Sequence, residues 1–317
     1  MKSIRTRFRA YHLGAAGSSF SYFAGGHFTM IEGRLTDDSR HQVEREMETC
    51  GVDAADNLHI TSWDSDHCNK YELAELLNLI QPRQIECPGY DPHKDYGHGE
   101  ECLEMIAEYR SRRRNTGFVP VIKHITPAYI MGLEYASALA FNNMLYNPYH
   151  IVENANDNST VQLFRKGSFN VLSLGDVEDP LIGARLRRCR IPCTEIDVMI
   201  LAHHGADNGF TTKKFLRHLD PTVAICSSNY DNQHDHPRQE IRDLLHEEGI
   251  QLKTTKTGDV IVRSIDDHTG VYEVVNLKAK STEVSSVGTF VSKKIDILDA
   301  NGDALRQRYG ARRRYPR

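Results

Sequence analysis

Short apolar runs alternate along the chain with longer segments of helical spacing. Strand-like runs near 5–12, 18–24 and 27–32 open it, and a helix near 38–49 and a strand near 57–62 follow. Tyr71-Glu72-Leu73-Ala74-Glu75-Leu76-Leu77 has the apolar spacing of a helix over 69–80, with a further helix over 99–114 and a strand over 119–125. Between them, Glu86 to His98 is rich in proline, glycine and histidine and reads as an irregular loop. The segment 127–150, ending in Asn147-Pro148-Tyr149-His150, reads as a helical insertion. The second half predicts strands near 159–165, 168–174, 196–202, 222–228, 251–255 and 259–264, with helices at 211–219 and 237–248. A further strand, Gly270 to Val275, precedes a polar, basic tail without assignment. No solenoid repeat is present, and the pattern alone gives an α/β or α+β class. It divides into a main domain over 1–265 and a C-terminal extension over 266–317.

Composition narrows this picture only slightly. With 317 residues, 39% hydrophobic and 26% charged, the chain is long enough for one large globular domain. No run reaches transmembrane length and the N-terminus lacks an apolar signal region, so the expectation is a cytoplasmic protein without a membrane segment. Seven cysteines without a Cys-x-x-Cys pair suit reduced thiols. The net charge of −4 argues against a nucleic-acid surface over the whole chain. Two local basic runs, Arg110-Ser111-Arg112-Arg113-Arg114 and the tail from Arg312 to Arg317, are still of a kind that contacts phosphates.

Candidate chemistry lies where apolar strands give way to loops. Asp64-Ser65-Asp66-His67 sits between the β-prone Leu58-His59-Ile60-Thr61 and a helix, so Asp64 and Asp66 can converge on one side of an extended segment. By itself such a sequence also makes an Asx-rich turn with a helix N-cap. Val171 to Leu174 is a buried-type strand ending in Gly175-Asp176, which places a carboxylate rigidly, although Gly-Asp also makes ordinary turns. Asp197 to Ala202 ends in His203-His204-Gly205, and two imidazoles at the end of an apolar strand need a metal or hydrogen-bond partner. His236-Pro237 opens the helix expected at 237–248, with proline at its first position and His236 at an anion-attracting N-terminus.

The order and spacing of these clusters resemble the metallo-β-lactamase superfamily, within it the branch containing the hydrolase domain of the competence protein ComEC. Tyr11 to Ser19 is similar to that family's opening Val-Gly-x-Gly-Asp-Ser-like turn, and Met30-Ile31-Glu32-Gly33 to its Ile-Asp-x-Gly strand end. Ser62-x-Asp64-x-Asp66-His67 stands where the family has His-x-His-x-Asp-His. Asn156 to Val161, Gly175-Asp176, His203-His204-Gly205-Ala206 and Asp235-His236-Pro237 match its later motifs, over roughly residues 5 to 265. The resemblance implies an αββα four-layer sandwich with a metal site at one edge of the sheets.

Both leading histidines of the signature are replaced, by Ser62 and Asp64. The resemblance then implies one position lined by Asp64, Asp66 and Asp176, and a second holding Asp66, His67, Asp176 and His204. The expected cofactor is one or two divalent ions, Mn or Zn with Mg as a third option, oxygen ligands favouring the harder cations. The implied activity is metal-dependent hydrolysis, first of all as a phosphodiesterase or nuclease on a nucleic acid or nucleotide. Asp66 would orient the nucleophile, His203 or His236 would act as acid, and Asn158, Ser159 and His236 would contact substrate. The alternatives are a hydrolase of a non-phosphate ester or lactone, and a catalytically silent subunit with protein partners in a bacterial defence or DNA-handling complex.

Overall fold

The computed structural model describes residues 5–92, 97–135, 143–146, 151–266 and 270–295. In chain order the first half contains β1 (Thr6–Ala10), β2 (Phe20–Ala24), β3 (His27–Ile31), α1 (Asp37–Cys50), β4 (Asn57–His59), α2 (Lys70–Ile80), β5 (Gln84–Pro88), α3 (Gly99–Arg114), β6 (Val121–Ile125), α4 (Pro127–Tyr135) and β7 (Asn143–Tyr146). The second contains β8 (Val161–Phe164), β9 (Val171–Ser173), α5 (Pro180–Leu186), α6 (Arg190–Glu195), β10 (Val198–Ile200), α7 (Lys213–Leu219), β11 (Val223–Cys226), α8 (Gln239–Glu247) and β12 (Gln251–Thr254). Three more strands close the described chain: β13 (Val260–Ser264), β14 (Val271–Leu277) and β15 (Val284–Val291).

These strands form two sheets. One has nine strands in the order β15-β14-β13-β1-β2-β3-β4-β5-β6, and the other six in the order β12-β11-β10-β9-β8-β7. Alternation along each strand decides which face is buried by what. In β1, Phe8 and Ala10 face a core shared with Phe164, Val171, Val198 and Ile225 of the other sheet, so the sheets pack face to face. On the far side of the large sheet, Leu58, Ile60 and Ile85 pack with Val43 of α1, Leu73 and Leu77 of α2 and Ile106 of α3. On the far side of the small sheet, Leu172, Met199 and Ala224 pack with Ile182 of α5, Phe215 of α7 and Ile241 of α8. Helix, sheet, sheet and helix thus stack in four layers, the architecture expected above.

The opposite face of β1 is charged. Arg7 and Arg9 there are buried and both reach Glu46 of α1, Arg7 through Nε and Nη2 at 2.7 and 2.9 Å, while Arg9 also meets Asp259. Burial opposes ionisation of Glu46, but the two guanidiniums win and hold its carboxyl below the ordinary range.

Two expectations need correction. The described part of segment 127–150 is not helical throughout: α4 covers Pro127–Tyr135, but β7 pairs antiparallel with β8, Asn143 opposite Phe164 and Tyr146 opposite Val161. A four-residue apolar run has no period of its own, and the free edge of β8 decides its state. The last helix begins at Gln239 rather than 237, because Arg238 N–H donates to Gly205 O at 3.0 Å and keeps Pro237 in the connection, after a cis peptide bond. The strand expected over 270–275 is present as β14, which with β15 continues the large sheet, and Tyr272 and Val274 enter the inter-sheet core. Helices α5 and α6 were not anticipated. Arg112, Arg113 and Arg114 occupy the last turn of α3, where cations face the negative helix end; Asn147 to His150 and the tail from Arg312 lie outside the described residues.

Candidate metal centre

Four side chains converge at one end of the sandwich. Ligand-type atoms of Asp66, His67, Asp176 and His204 all lie within 4.8 Å of one another. Asp66 and His67 come from the loop after β4, Asp176 from the turn after β9 and His204 from the turn after β10, so each sheet contributes two. His67 Nε2 stands 2.9 Å from Asp176 Oδ1 and His204 Nε2 stands 3.1 Å from Asp66 Oδ2.

Local structure explains why these residues meet. His67 and Cys68 N–H both donate to Asp64 O, closing the loop into a turn, and Asn69 caps α2 directly after it. Gly17, at φ +128°, lies against this loop, where a Cβ would stand 2.4 Å from Asp66 O. Ser18 N–H donates to Asp66 O at 2.9 Å and Ser227 Oγ donates to Gly17 O at 2.8 Å, so the N-terminal turn ties together loops of the two sheets. Asp176 is set by Ser159, whose hydroxyl accepts from Asp176 N–H at 3.2 Å. Between them Gly175 turns at φ +58°, with Ser159 Cβ only 2.9 Å from where a side chain would begin. His203 and His204 both adopt left-handed backbone, φ 43° and 52°, which throws their side chains to different partners.

The orientation of both imidazoles is fixed from behind. His67 Nδ1 lies 3.1 Å from Glu32 Oε1, and Glu32 in turn accepts from Thr61 N–H at 3.0 Å and Thr61 Oγ at 2.7 Å. His204 Nδ1 lies 2.8 Å from Ser227 O. A carboxylate and a carbonyl only accept, so both Nδ1 atoms carry the proton and both Nε2 atoms are directed into the group. Burial favours neutral His67, but Asp176, Glu32 and Asp66 outweigh it and raise its pKa well above the ordinary value. Burial likewise pushes Asp66 up, yet His67 and His204 hold it below the carboxylate range, and Asp176 behaves the same way. The pocket is therefore built around positive charge. With two carboxylates, and two imidazoles whose Nε2 atoms are aimed at them, the residues present fit a divalent cation.

Other candidates fall elsewhere. Asp64 is outside the group: Ser62 Oγ donates to its Oδ2 at 3.0 Å, while the Ser62 hydroxyl also meets Tyr90 OH at 3.3 Å. Burial holds the Asp64 carboxyl above its ordinary range. Of Asp64, Asp66 and Asp176, expected together around one position, only Asp66 and Asp176 belong to the converging group among the described residues. Asn158 is buried and does not face a cleft, because its Nδ2 donates to Val152 O at 2.7 Å and its Oδ1 accepts from Val152 N–H. Ser159 is buried behind Asp176 as described. Both residues expected as substrate contacts thus hydrogen-bond to backbone beside the site. His203 turns to Glu178, which Asn154 and Asn156 also contact.

His236 does face the site. A cleft of about 320 Å³ is lined by Asp66 and His204 together with His203, His234, His236, Ser228 and Asn229. The His236 ring stacks at 6.2 Å from His204, and burial with the charges of His204, His203 and His234 lowers its pKa to about 4. Sequence reasoning placed Glu32 in a matched strand end without giving it a role, and passed over Ser227 and His234. Only Glu32 carried a signal, a carboxylate at a strand end before glycine.

No family model matches the sequence. The chain is similar to ComE operon protein 3 of Bacillus subtilis (strain 168), 28% identical over 119 residues, which are 38% of this chain and 15% of that protein. The chain thus spans a small part of that relative's length. Among solved structures, it is similar to Tm1679, a metal-dependent hydrolase of the β-lactamase superfamily, at 11% identity and a TM-score of 0.44, covering 83% of this chain and 99% of that one. It is also similar to a diphosphatase from the PhnP family at 14% identity and a TM-score of 0.42, covering 81% and 98%. A metallo hydrolase, Igni18, from Ignicoccus hospitalis gives 13% identity and a TM-score of 0.41, covering 80% and 98%.

Proposed function

We propose that this chain is a metal-dependent hydrolase of the metallo-β-lactamase type, acting on a phosphodiester in a nucleotide or nucleic acid. The convergence of Asp66, His67, Asp176 and His204, with both imidazoles locked by Glu32 and Ser227, carries the reading. These four residues would hold one divalent ion, Mn or Zn, which when bound supplies Lewis acidity and lowers the pKa of a coordinated water. Asp66, 35% exposed where the other three are largely buried, faces the cleft and is placed to orient a nucleophile there. The polar wall opposite offers imidazole N–H, Ser228 and Asn229 as donors to an anionic substrate. His236, unprotonated at neutral pH by virtue of its surroundings, becomes a proton donor only when the charge of a bound phosphate raises its pKa.

Among the described residues no helix is long and apolar enough to cross a membrane. The test is a cleavage screen of single-stranded and duplex DNA, RNA and cyclic nucleotides with Mn²⁺, Mg²⁺ and Zn²⁺, alongside Asp66→Ala and His204→Ala. Metal-supported cleavage lost in both variants is the expected result. Cleavage retained in both would overturn the assignment, and an ion bound without any cleavage would favour the silent subunit in a multi-protein complex.

A further inference from the structure

Among the described residues that line the cleft there is no lysine or arginine, while Asp66 and Asp231 contribute carboxylates and Glu178 contacts His203. On the flanking segments Lys70 pairs with Glu101 at 2.8 Å, Arg238 donates to His234 O at 3.1 Å, and Arg242 lies 3.9 Å from Asp235. A polynucleotide binds chiefly through phosphates neutralised by lysine and arginine, and each such contact adds both affinity and salt dependence. The basic run of α3 does not bring those cations to the cleft. The helix starts against Trp63, where a Cβ on Gly99 would stand 3.0 Å from the tryptophan Cβ, just before the loop that carries Asp66 and His67. Arg112, Arg113 and Arg114 occupy its last turn, about 20 Å further along at about 1.5 Å per residue.

What the cleft offers instead is small and neutral. Its volume of about 320 Å³ lies at the lower end of the roughly 300–1,000 Å³ of small-ligand pockets. Ser228, Asn229 and Gln233 bring hydroxyl and amide groups that both donate and accept. Tyr230, between the lining residues Asn229 and Asp231, stands 78% exposed and offers its ring for stacking on a base. We propose that the substrate is a small phosphodiester with one negative charge on a nucleoside, a cyclic mononucleotide in class, and not a polynucleotide chain. The proposal rests on the phosphodiesterase reading above. A single charge asks for no lysine or arginine beyond the ion that the four converging residues would hold, and the rest of the lining then meets hydroxyls and ring nitrogens. In the reaction the oxygen of water bonds to phosphorus as one P–O bond of the ring breaks. One proton of that water ends on the freed hydroxyl and the other passes to the medium, leaving a nucleoside monophosphate.

The test gives the full chain with Mn²⁺ three substrates: bis(p-nitrophenyl) phosphate as an activated diester, cyclic AMP and cyclic GMP, and single-stranded DNA. The cyclic nucleotides should be cleaved with kcat/KM at least about 100-fold above the DNA, changing less than about twofold between about 50 and about 300 mM salt. A separate readout, fluorescence anisotropy of a labelled DNA strand without metal, should show weak binding. Asp231→Lys with Gln233→Lys should tighten that binding at least about tenfold and steepen its salt dependence. DNA preferred over the cyclic nucleotides, or a DNA affinity unmoved by the two lysines, would overturn the proposal and leave the phosphodiesterase reading standing. Cleavage of the activated diester alone would do the same. No cleavage of any of the three would bring down that reading and the proposal together.

Discussion

At the scale of single residues, the site divides into groups that face a cation and groups that hold them. Glu32 belongs to the second kind, since its carboxylate meets His67 Nδ1 and two donors of Thr61. Glu32→Gln keeps the shape and removes the charge, and metal affinity measured by chelator competition should fall about 10- to 100-fold while the circular dichroism spectrum is preserved. Asp64→Asn is expected to leave affinity within about threefold of wild type, because its carboxylate is turned to the Ser62 hydroxyl. A large loss in that variant would return Asp64 to the metal. All four converging residues were already candidates from sequence, because each follows a strand whose end is readable from its apolar run. What was not legible were the partners behind them. Asp64 looks like a ligand and Asn158 like a substrate contact in a linear motif, but their side chains are claimed by neighbours two and six residues away, a competition that spacing alone does not resolve.

Elements with a period of their own were legible, and those made by their neighbours were not. Helices α2 and α3 lie within a residue of their expected bounds, since each has an apolar stripe and Asn69 caps the start of α2. β7 and β15 exist because β8 and β14 offer them an edge. The attachment of α1 to β1 was also invisible, because Arg7, Arg9 and Glu46 read as surface charges until burial joins them. Glu46→Gln leaves two buried guanidiniums short of a counter-charge and should cost about 3 kcal/mol by denaturant unfolding at neutral pH. Glu46 titrates lower in the folded chain than in the unfolded one, so its contribution is present above the unfolded value and is lost as pH falls through the folded value. The wild type should accordingly lose stability on acidification more steeply than the variant; parallel acid limbs would show that the network is not ionised.

For the whole molecule, the site is a joint. Two of its residues stand on loops of the nine-stranded sheet and two on loops of the six-stranded one. Ion binding should therefore stabilise the fold by about 2.7 kcal/mol at a hundredfold excess over Kd, read as a rise in melting temperature that Asp66→Ala abolishes. The same split has a less obvious consequence. The interval between the ligand pairs is set by how thick the shared core is, and that thickness is set by side chains such as Phe164, which touches Tyr22 and His59 on the opposite sheet. The centre thus acts as a calliper on its own scaffold. Phe164→Leu, far from any ligand in sequence, should register as weakened ion binding out of proportion to its modest effect on the metal-free melting temperature, and an affinity that tracks only the ligands themselves would show that the two sheets are free to adjust around the ion.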